Sequence, residues 1–408
     1  MTTPKKSMAI VRSRRTNLAE IAVYRAFMPS WDLTFFFAGT PEQDSRDQLD
    51  DFELQAMRSV RYRCVSDLVP WDWVRRGLDY KVGIGSYMLD RLDDILEHDV
   101  INITDPIFGF TRQIQRAIRP GQKLVLFCME NIPGRYDRIW TAARRAGAVM
   151  QRADMIICVT RAAQSALDLP PGFAGTVTQI YAGIDQPGSR EARFTPSVAS
   201  RRLAAKVADA PPVILFVGRF QRSKGLHVLL AAVQILRDRM KQDVTLWVVG
   251  GGSPGPLQAL AHSLGLSGRV KFWGALSNSE VREKMAAADL FCQPSLVTPN
   301  WMEQFGFAMV EAMACGLPVV AFDSGSIREV AGEDAAYATV GDSYSLAEAI
   351  AGLLRDPAQM CVRGERLRQR AIREFDADRQ GMKVFEAISG LVRGQGVVQQ
   401  VECEEAST

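Results

Sequence analysis

Residues 298–325 read TPNWMEQFGFAMVEAMACGLPVVAFDSG, and the order of events within them sets the fold. A polar opening runs to Glu303. Gly306 then precedes an apolar, alanine-rich stretch suited to a short helix through Ala314. Gly316 and Pro318 stop it, because glycine accepts the left-handed cap and proline cannot continue a helix. The run Leu317 to Asp323 follows at once and reads as a strand buried on both faces. The helix start offers unpaired N–H groups and a positive dipole end to phosphate oxygens. Two carboxylates flank it, Glu303 in the loop and Glu311 inside the helix, with seven residues between them. The second is placed to accept hydrogen bonds from a vicinal diol such as ribose.

Outward from this unit the same alternation repeats. Met8 to Ser13, Leu33 to Gly39, Tyr80 to Gly85, Val100 to Thr104, Lys123 to Met129, Asp154 to Thr160 and Val177 to Gly183 are apolar runs expected as strands. Amphipathic segments such as Arg138 to Arg152 lie between several of them. The stretch from Gln186 to Pro212, rich in Pro, Ser, Ala and charge, reads as a linker. Beyond it, Pro212 to Gly218, Val244 to Gly250, Arg269 to Gly274, Asp289 to Ser295 and Leu317 to Asp323 restart the pattern. Two doubly wound parallel-sheet domains follow from this, with ligands at the carboxyl ends of their strands.

Composition supports that frame. The 408 residues suit two domains of ordinary size, and 47% apolar with 23% charged residues lets each bury a core. A net charge of +3 gives no case for nucleic acid as the main partner. The basic cluster Lys5, Lys6, Arg12, Arg14 and Arg15 reads as a solvated start. Cys64, Cys128, Cys158, Cys292, Cys315, Cys361 and Cys403 are scattered singly, as small core residues in a reducing compartment. His98, His227 and His262 are too dispersed to suggest a metal cluster, so no metal site is expected. No secretory pattern opens the chain, and no apolar run reaches the ~18 residues that span a bilayer. The expectation is a cytoplasmic protein without a transmembrane segment; peripheral contact with the inner face of the membrane stays open.

The second half carries further candidate chemistry. Gly218 ends a strand, Arg219 and Lys224 flank a short loop, and Gly225 opens the next helix. Two cations at a strand end suit a diphosphate, the guanidinium as a planar fork and the ammonium as a point charge. Taken alone, a solvated basic loop is the commoner reading. It is not the phosphate loop of nucleoside triphosphatases, where lysine follows the last glycine. Gly250, Gly252 and Gly255 have dinucleotide-fingerprint spacing, but Pro254 intrudes and the strand ending Trp273-Gly274-Ala275-Leu276 lacks the expected acid. A tight turn is the better reading. Gly274 to Leu276 can present backbone groups to a flat base, and Ser277 or Ser279 can cap the following helix with Glu280 or Glu283 in its first turns.

The order GR…KG, G.L, AADLF..PS, then E.FGF.MVEAMACGLPVV resembles the family 4 retaining glycosyltransferases, of GT-B architecture. The resemblance covers most of Val213 to Gly332. Ile180 to Asp185 (IYAGID), before Phe194-Thr195-Pro196, also resembles the end of that family's first domain. It implies an α/β GT-B fold of two Rossmann-like domains facing a cleft. The expected division is an acceptor-binding domain over 1–190, a linker over 191–211 and a nucleotide-sugar domain over 212–375. A C-terminal helix over 376–393, free to pack back on the first domain, and a disordered tail over 394–408 complete it.

The resemblance also implies roles. Glu311 is similar to the glutamate that bonds the nucleotide ribose, and Glu303 to the one that contacts donor-sugar hydroxyls. Arg219 and Lys224 resemble the diphosphate pair. Gly218, Phe305, Gly306 and Phe307 correspond to backbone facing the donor, and Leu276 to a residue beside the base. The implied reaction is metal-independent and needs no cofactor. It moves a sugar from a nucleotide diphosphate sugar to a hydroxyl of a glycan, a glycolipid or lipid-linked saccharide, or a small metabolite, with retention of configuration. Base, sugar, acceptor, linkage and oligomeric state are not implied.

The chain departs from the family at two places. Many members carry a sugar-contacting histidine after the strand equivalent to Lys123 to Met129, where this chain has Glu130-Asn131-Ile132-Pro133. Glu130 or Asn131 can take its place, Glu130 as an aid to acceptor deprotonation; a surface turn is the competing reading. The first loop, usually small residues, is Arg12 to Asn17 (RSRRTN), where Arg14 or Arg15 would meet an anionic acceptor or simply be solvated. Asp105 is a cleft residue or a helix cap, His227 a packing histidine, and Trp71 to Trp73 (WDW) an acceptor-side patch or, more commonly, buried. The rival functions are a nucleotide-sugar epimerase on the same fold and a non-catalytic donor-binding subunit.

Overall fold

The computed structural model describes residues 5–13, 19–38, 57–69, 71, 74, 78, 85–135, 140–184 and 211–395. The first sheet comprises β1 (Lys6–Arg12), β2 (Trp31–Ala38), β3 (Arg58–Tyr62), β4 (Val100–Thr104), β5 (Lys123–Cys128), β6 (Met155–Cys158) and β7 (Thr176–Gln179). Its order is β3-β2-β1-β4-β5-β6-β7, with every pairing parallel. The second comprises β8 (Val213–Val217), β9 (Thr245–Val249), β10 (Val270–Gly274), β11 (Leu290–Gln293), β12 (Val319–Phe322) and β13 (Ala336–Ala338). Its order, β10-β9-β8-β11-β12-β13, is again parallel throughout. Continuous burial along β4, β6, β11 and β12, and along β1 from Met8 on, is what sheets covered on both faces require.

In each sheet the chain runs outward from a central strand, returns, and continues the other way. The reversal falls between β1 and β4 in the first sheet and between β8 and β11 in the second. Crevices at such reversals, beyond the carboxyl ends of the strands, are where this topology binds ligands. The loops after β8 and β11 are therefore the ones to inspect in the second domain.

The strands anticipated from apolar runs are present within a residue or two, apart from Val177 to Gly183, whose strand ends at Gln179, and Tyr80 to Gly85, most of which lies outside the described residues. Two strands have no apolar run to announce them. These are the edge strands β3 (RSVRY), half exposed, and β13 (AYA). Arg138 to Arg152, read as a helix, begins at Trp140 among the described residues. The linker assigned to 191–211 lies outside them except for residue 211, as does the tail beyond residue 395.

The last helix, Ala377–Val392, leaves the second domain and packs on the first. Ala377, Val384 and Ile388 share a buried cluster with Met8, Ile10, Tyr24 and Phe27. Phe385 meets Phe27 at 5.0 Å between ring centroids, and Asp378 pairs with Arg25 at 3.2 Å. Gly381 makes this close approach possible, because a Cβ there would lie 2.5 Å from the Val23 carbonyl oxygen. At the junction Ile184 and Asp376 pair as a parallel bridge: Ile184 N–H donates to Phe375 O at 2.8 Å and Ala377 N–H to Ile184 O at 3.0 Å.

Candidate active site

The Glu303 carboxylate is the focus of the loops at the β8/β11 reversal. It is buried, and its Oε2 accepts from Lys224 Nζ at 2.7 Å, Gln293 Nε2 at 2.9 Å and Ser295 Oγ at 2.7 Å. Gln293 ends β11, and Ser295 follows Pro294. Lys224 arrives from the β8 side through a short 3-10 turn, Arg222–Lys224.

Gly225 sets that approach. It sits at φ +72°, and a Cβ on it would lie 1.7 Å from the Pro294 carbonyl oxygen. Only glycine lets the two loops touch there. Ser223 O accepts from Leu296 N–H at 2.8 Å and seals the contact. The Lys224 ammonium also lies 4.8 Å from the centre of the Trp301 ring. Sequence reasoning did not select Gln293, Ser295 or Trp301. The first two are short polar residues at a strand end, where a ligand role and a turn role read alike.

The other assigned residues take these places. Gly306, at φ +82°, caps the helix Phe307–Ala314, so the first N–H groups lack intrahelical partners. Phe305 is buried and packs edge-on against Phe375 at 5.5 Å; its side chain belongs to the core, and only its backbone is near the helix tip. Phe307 is half-buried beside Phe305 at 4.9 Å. Glu311 lies in the second turn of the helix, half-buried. Gly218 follows β8, and its N–H donates to Val249 O at 3.0 Å. Arg219 is exposed next to it, with no ion pair among the described residues. Leu276 is half-buried beside Trp273 and Val281 against the core, just ahead of the helix Asn278–Ala287. Ser277 caps that helix in a reciprocal box with Glu280.

The glycine-rich turn after β9 packs against backbone. A Cβ on Gly250 would lie 1.9 Å from the Gly218 carbonyl, and one on Gly252 would lie 2.9 Å from Phe220 Cβ. Those glycines fit the turn around 218–220.

From the first domain, the segment after β5 reaches this site. Asn131 is buried, and its Nδ2 donates to the Glu303 carbonyl oxygen at 2.7 Å and to Ser326 Oγ at 3.0 Å. Glu130 accepts from Ile132 N–H at 3.1 Å and pairs with Arg135 Nε at 3.6 Å. Burial is the main influence on Glu130 and raises its pKa, against the lowering effects of backbone hydrogen bonds and Arg135. Arg135 also donates to Asn300 Oδ1 at 3.1 Å. Asp105 accepts from Met129 N–H at 3.3 Å and so ties β4 to the same segment. Glu130 to Pro133 is docked through buried Asn131 and Ile132, while Pro133 is exposed in the turn that Arg135 N–H closes onto Ile132 O at 3.1 Å, so the segment is part interface and part surface turn.

A second interdomain contact lies beside it. Glu329 accepts from Arg161 N–H at 2.6 Å and Ala162 N–H at 2.9 Å, the opening amides of the helix Arg161–Ser165. Neither contact has a local sequence signal, because the partners are far apart in the chain.

Two expectations need correction. Arg12 is 2% exposed, not solvated. Its guanidinium donates to Tyr24 Oη at 2.6 Å and to the Val11 and Asn102 carbonyls, and lies over the Tyr24 and Phe127 rings. The residue's place at the inner end of a buried strand overrides its charge. Trp71 is 62% exposed, against the usual burial of tryptophan. Arg14, Arg15 and Trp73 lie outside the described residues. His227 is half-buried, with its pKa lowered first by burial and then by Arg222.

Among the described residues no group of three or more His, Cys, Asp or Glu is arranged to hold a metal ion, and no helix is long and apolar enough to cross a membrane.

Residues 202–373 match the family model of glycosyl transferases group 1. A D-inositol 3-phosphate glycosyltransferase of Corynebacterium jeikeium is 36% identical over 190 residues, covering 44% of this chain and 43% of that protein. Its counterpart from Salinispora tropica is 32% identical over 265 residues, covering 60% and 52%. A phosphatidyl-myo-inositol mannosyltransferase of Mycolicibacterium smegmatis is 33% identical over 201 residues, covering 46% and 50%. The chain spans about half the length of the curated relatives it matches. Among solved structures, Anabaena Alr3699/HepE in complex with UDP and glucose superposes with a TM-score of 0.69 at 21% identity, covering 94% of this chain and 100% of that one. Sucrose-phosphate synthase from Thermosynechococcus elongatus gives 0.72 at 19% identity, covering 96% and 100%. At these identities the likeness shows the fold, which is GT-B.

Proposed function

From the premise that residues 202–373 form a domain of the glycosyl transferases group 1 family, we propose that this chain is a retaining glycosyltransferase. It takes a sugar from a nucleotide diphosphate sugar and gives it to an acceptor hydroxyl. The observation that carries the reading is the buried Glu303 carboxylate, held by Lys224, Gln293 and Ser295 at the β8/β11 reversal. Glu303 is in reach of sugar hydroxyls at this crevice. Glu311 bonds the ribose, and Leu276 lies by the base.

The chemistry follows from charge. Cleaving the sugar–phosphate bond leaves negative charge on the diphosphate. Lys224 gives one N–H to Glu303 and has two more to offer phosphate oxygens. Arg219 and the amides at the tip of Phe307–Ala314 complete the cradle. Stabilisation that grows with the developing charge lowers the barrier rather than only tightening binding. The cations then serve where other transferases use a divalent ion, and no metal or cofactor is invoked. Retention follows if the acceptor attacks on the face the diphosphate leaves, with Glu303 orienting the sugar rather than bonding to it. Glu130, at the first-domain wall, is the candidate to receive the acceptor proton.

The names of the relatives favour a phosphate-bearing polyol or its lipid as acceptor, with an inositol phosphate as the first to try. A cytoplasmic location with peripheral membrane contact suits a lipid acceptor. The test is incubation with labelled UDP- and GDP-sugars, with and without such acceptors. Transfer, or slow donor hydrolysis without acceptor, supports the proposal. An isomerised sugar points to an epimerase, and binding without turnover to a donor-binding subunit.

A further inference from the structure

Glu303 is held from both ends by different parts of the molecule. Its side chain is fixed by second-domain residues alone, Lys224, Gln293 and Ser295. Its main-chain carbonyl is held by Ser326 N–H at 3.0 Å and, across the domain boundary, by Asn131 Nδ2 at 2.7 Å. Asn131 Nδ2 also reaches Ser326 Oγ at 3.0 Å, and Ser326 Oγ lies 3.3 Å from Thr160 Oγ1 of the first domain. Gly325, at φ +59°, leaves no play: a Cβ there would lie 2.2 Å from the Glu303 carbonyl oxygen.

The orientation of the Asn131 amide is set by chemistry. A carbonyl oxygen only accepts, so the amide nitrogen faces Glu303. Asn131 Oδ1 is buried and has no hydrogen-bond partner among the described residues. The amide nitrogen is engaged by the Glu303 carbonyl and by Ser326 Oγ, both of the second domain.

We infer that Asn131 is a positioning residue, whose amide locks the Glu303 loop only when the two domains are shut. The inference rests on the transferase reading and adds to it: in the second domain alone the Glu303 carbonyl has the single tie from Ser326 N–H, and the first domain adds a second through Asn131. The acceptor domain thereby licenses use of the donor without touching the sugar through this side chain.

The test is Asn131→Asp, which keeps shape and replaces the donor with a carboxylate that repels the carbonyl. Three readouts are compared with the parent: hydrogen exchange of the amides over 303–307, the thermal shift given by the nucleoside diphosphate, and kcat for transfer. Faster exchange, an unchanged nucleotide shift and a kcat lower by about 10–100-fold are expected. Ser326→Ala, which keeps the Asn131–Glu303 bond, should change exchange and kcat in the same direction by less. Unchanged exchange in Asn131→Asp overturns the inference whatever kcat does, and so does unchanged kcat. A parent inert towards every donor, with exchange still responding to Asn131→Asp, would support the lock and remove the transferase reading. Should Asn131→Asp not fold, Asn131→Ala, which removes the amide donor without adding a charge, carries the decision on the same readouts.

Discussion

Glu303 and Lys224 form a pair at 2.7 Å with both side chains largely withdrawn from water, so neither can be deleted without leaving the other's charge exposed to a dry surrounding. Glu303→Gln keeps the size and removes the charge. It is expected to lower kcat by about 10²–10³-fold while the nucleoside diphosphate still binds. Glu311→Ala should do the reverse, with donor affinity falling more than turnover; equal, negligible effects in isothermal titration and rate measurements would remove both assignments. Glu130 allows a pH test. Its carboxyl is held above the usual range by burial, so a base at this position fails as pH drops through that raised value. Glu130→Gln should therefore lower kcat/KM and abolish its acid limb. Stability moves with the opposite sign: the fold favours the protonated form, so Glu130's contribution is present below the unfolded carboxylate pKa and lost as pH rises through the folded one. Glu130→Gln is expected to melt slightly higher than the parent near neutral pH and equally in acid.

Elements show why some of this was legible before any coordinates. Strands such as β4 (VINIT) and β12 (VVAF) announce themselves because a parallel strand buried on both faces must be apolar throughout. Edge strands lack that requirement, and β3, with two arginines, and β13, of three residues, carry no apolar run to mark them. Turn chemistry was legible at Gly225 and Gly306, but the reason for Gly225 was not, since the Pro294 carbonyl it clears is contributed by another loop. Gly225→Ala forces both a positive φ and a backbone collision. It is expected to cost roughly 1–3 kcal/mol in stability and to displace Lys224, checked by denaturant titration together with donor affinity. The buried arginine at the end of β1 shows the limit of reading charge along a chain. A residue's sheet position decided its environment, and neighbouring basic residues were no guide.

At the scale of the molecule, the two domains meet through Asn131 with Glu303 and Ser326, Arg135 with Asn300, and Glu329 with the start of Arg161–Ser165. These contacts were invisible in sequence because each joins residues more than a hundred positions apart, with no local pattern to mark them. Glu329 is the cleanest to remove, being away from the Glu303 carboxylate cluster. Glu329→Ala withdraws a helix cap worth about 1 kcal/mol. It is expected to favour the open arrangement, seen as a larger radius of gyration in solution scattering and a weaker gain of compactness with donor.

The helix Ala377–Val392 is made after every described strand of both sheets, yet it covers the core of the first domain. During synthesis the first domain therefore waits, with Met8, Ile10, Tyr24 and Phe27 short of their lid, until Val392 has left the ribosome. A message truncated before codon 377 would yield a protein whose family-matching portion is whole but whose beginning stays sticky and prone to chaperone capture. Quality control of the first domain is thus exercised at Ala377–Val392.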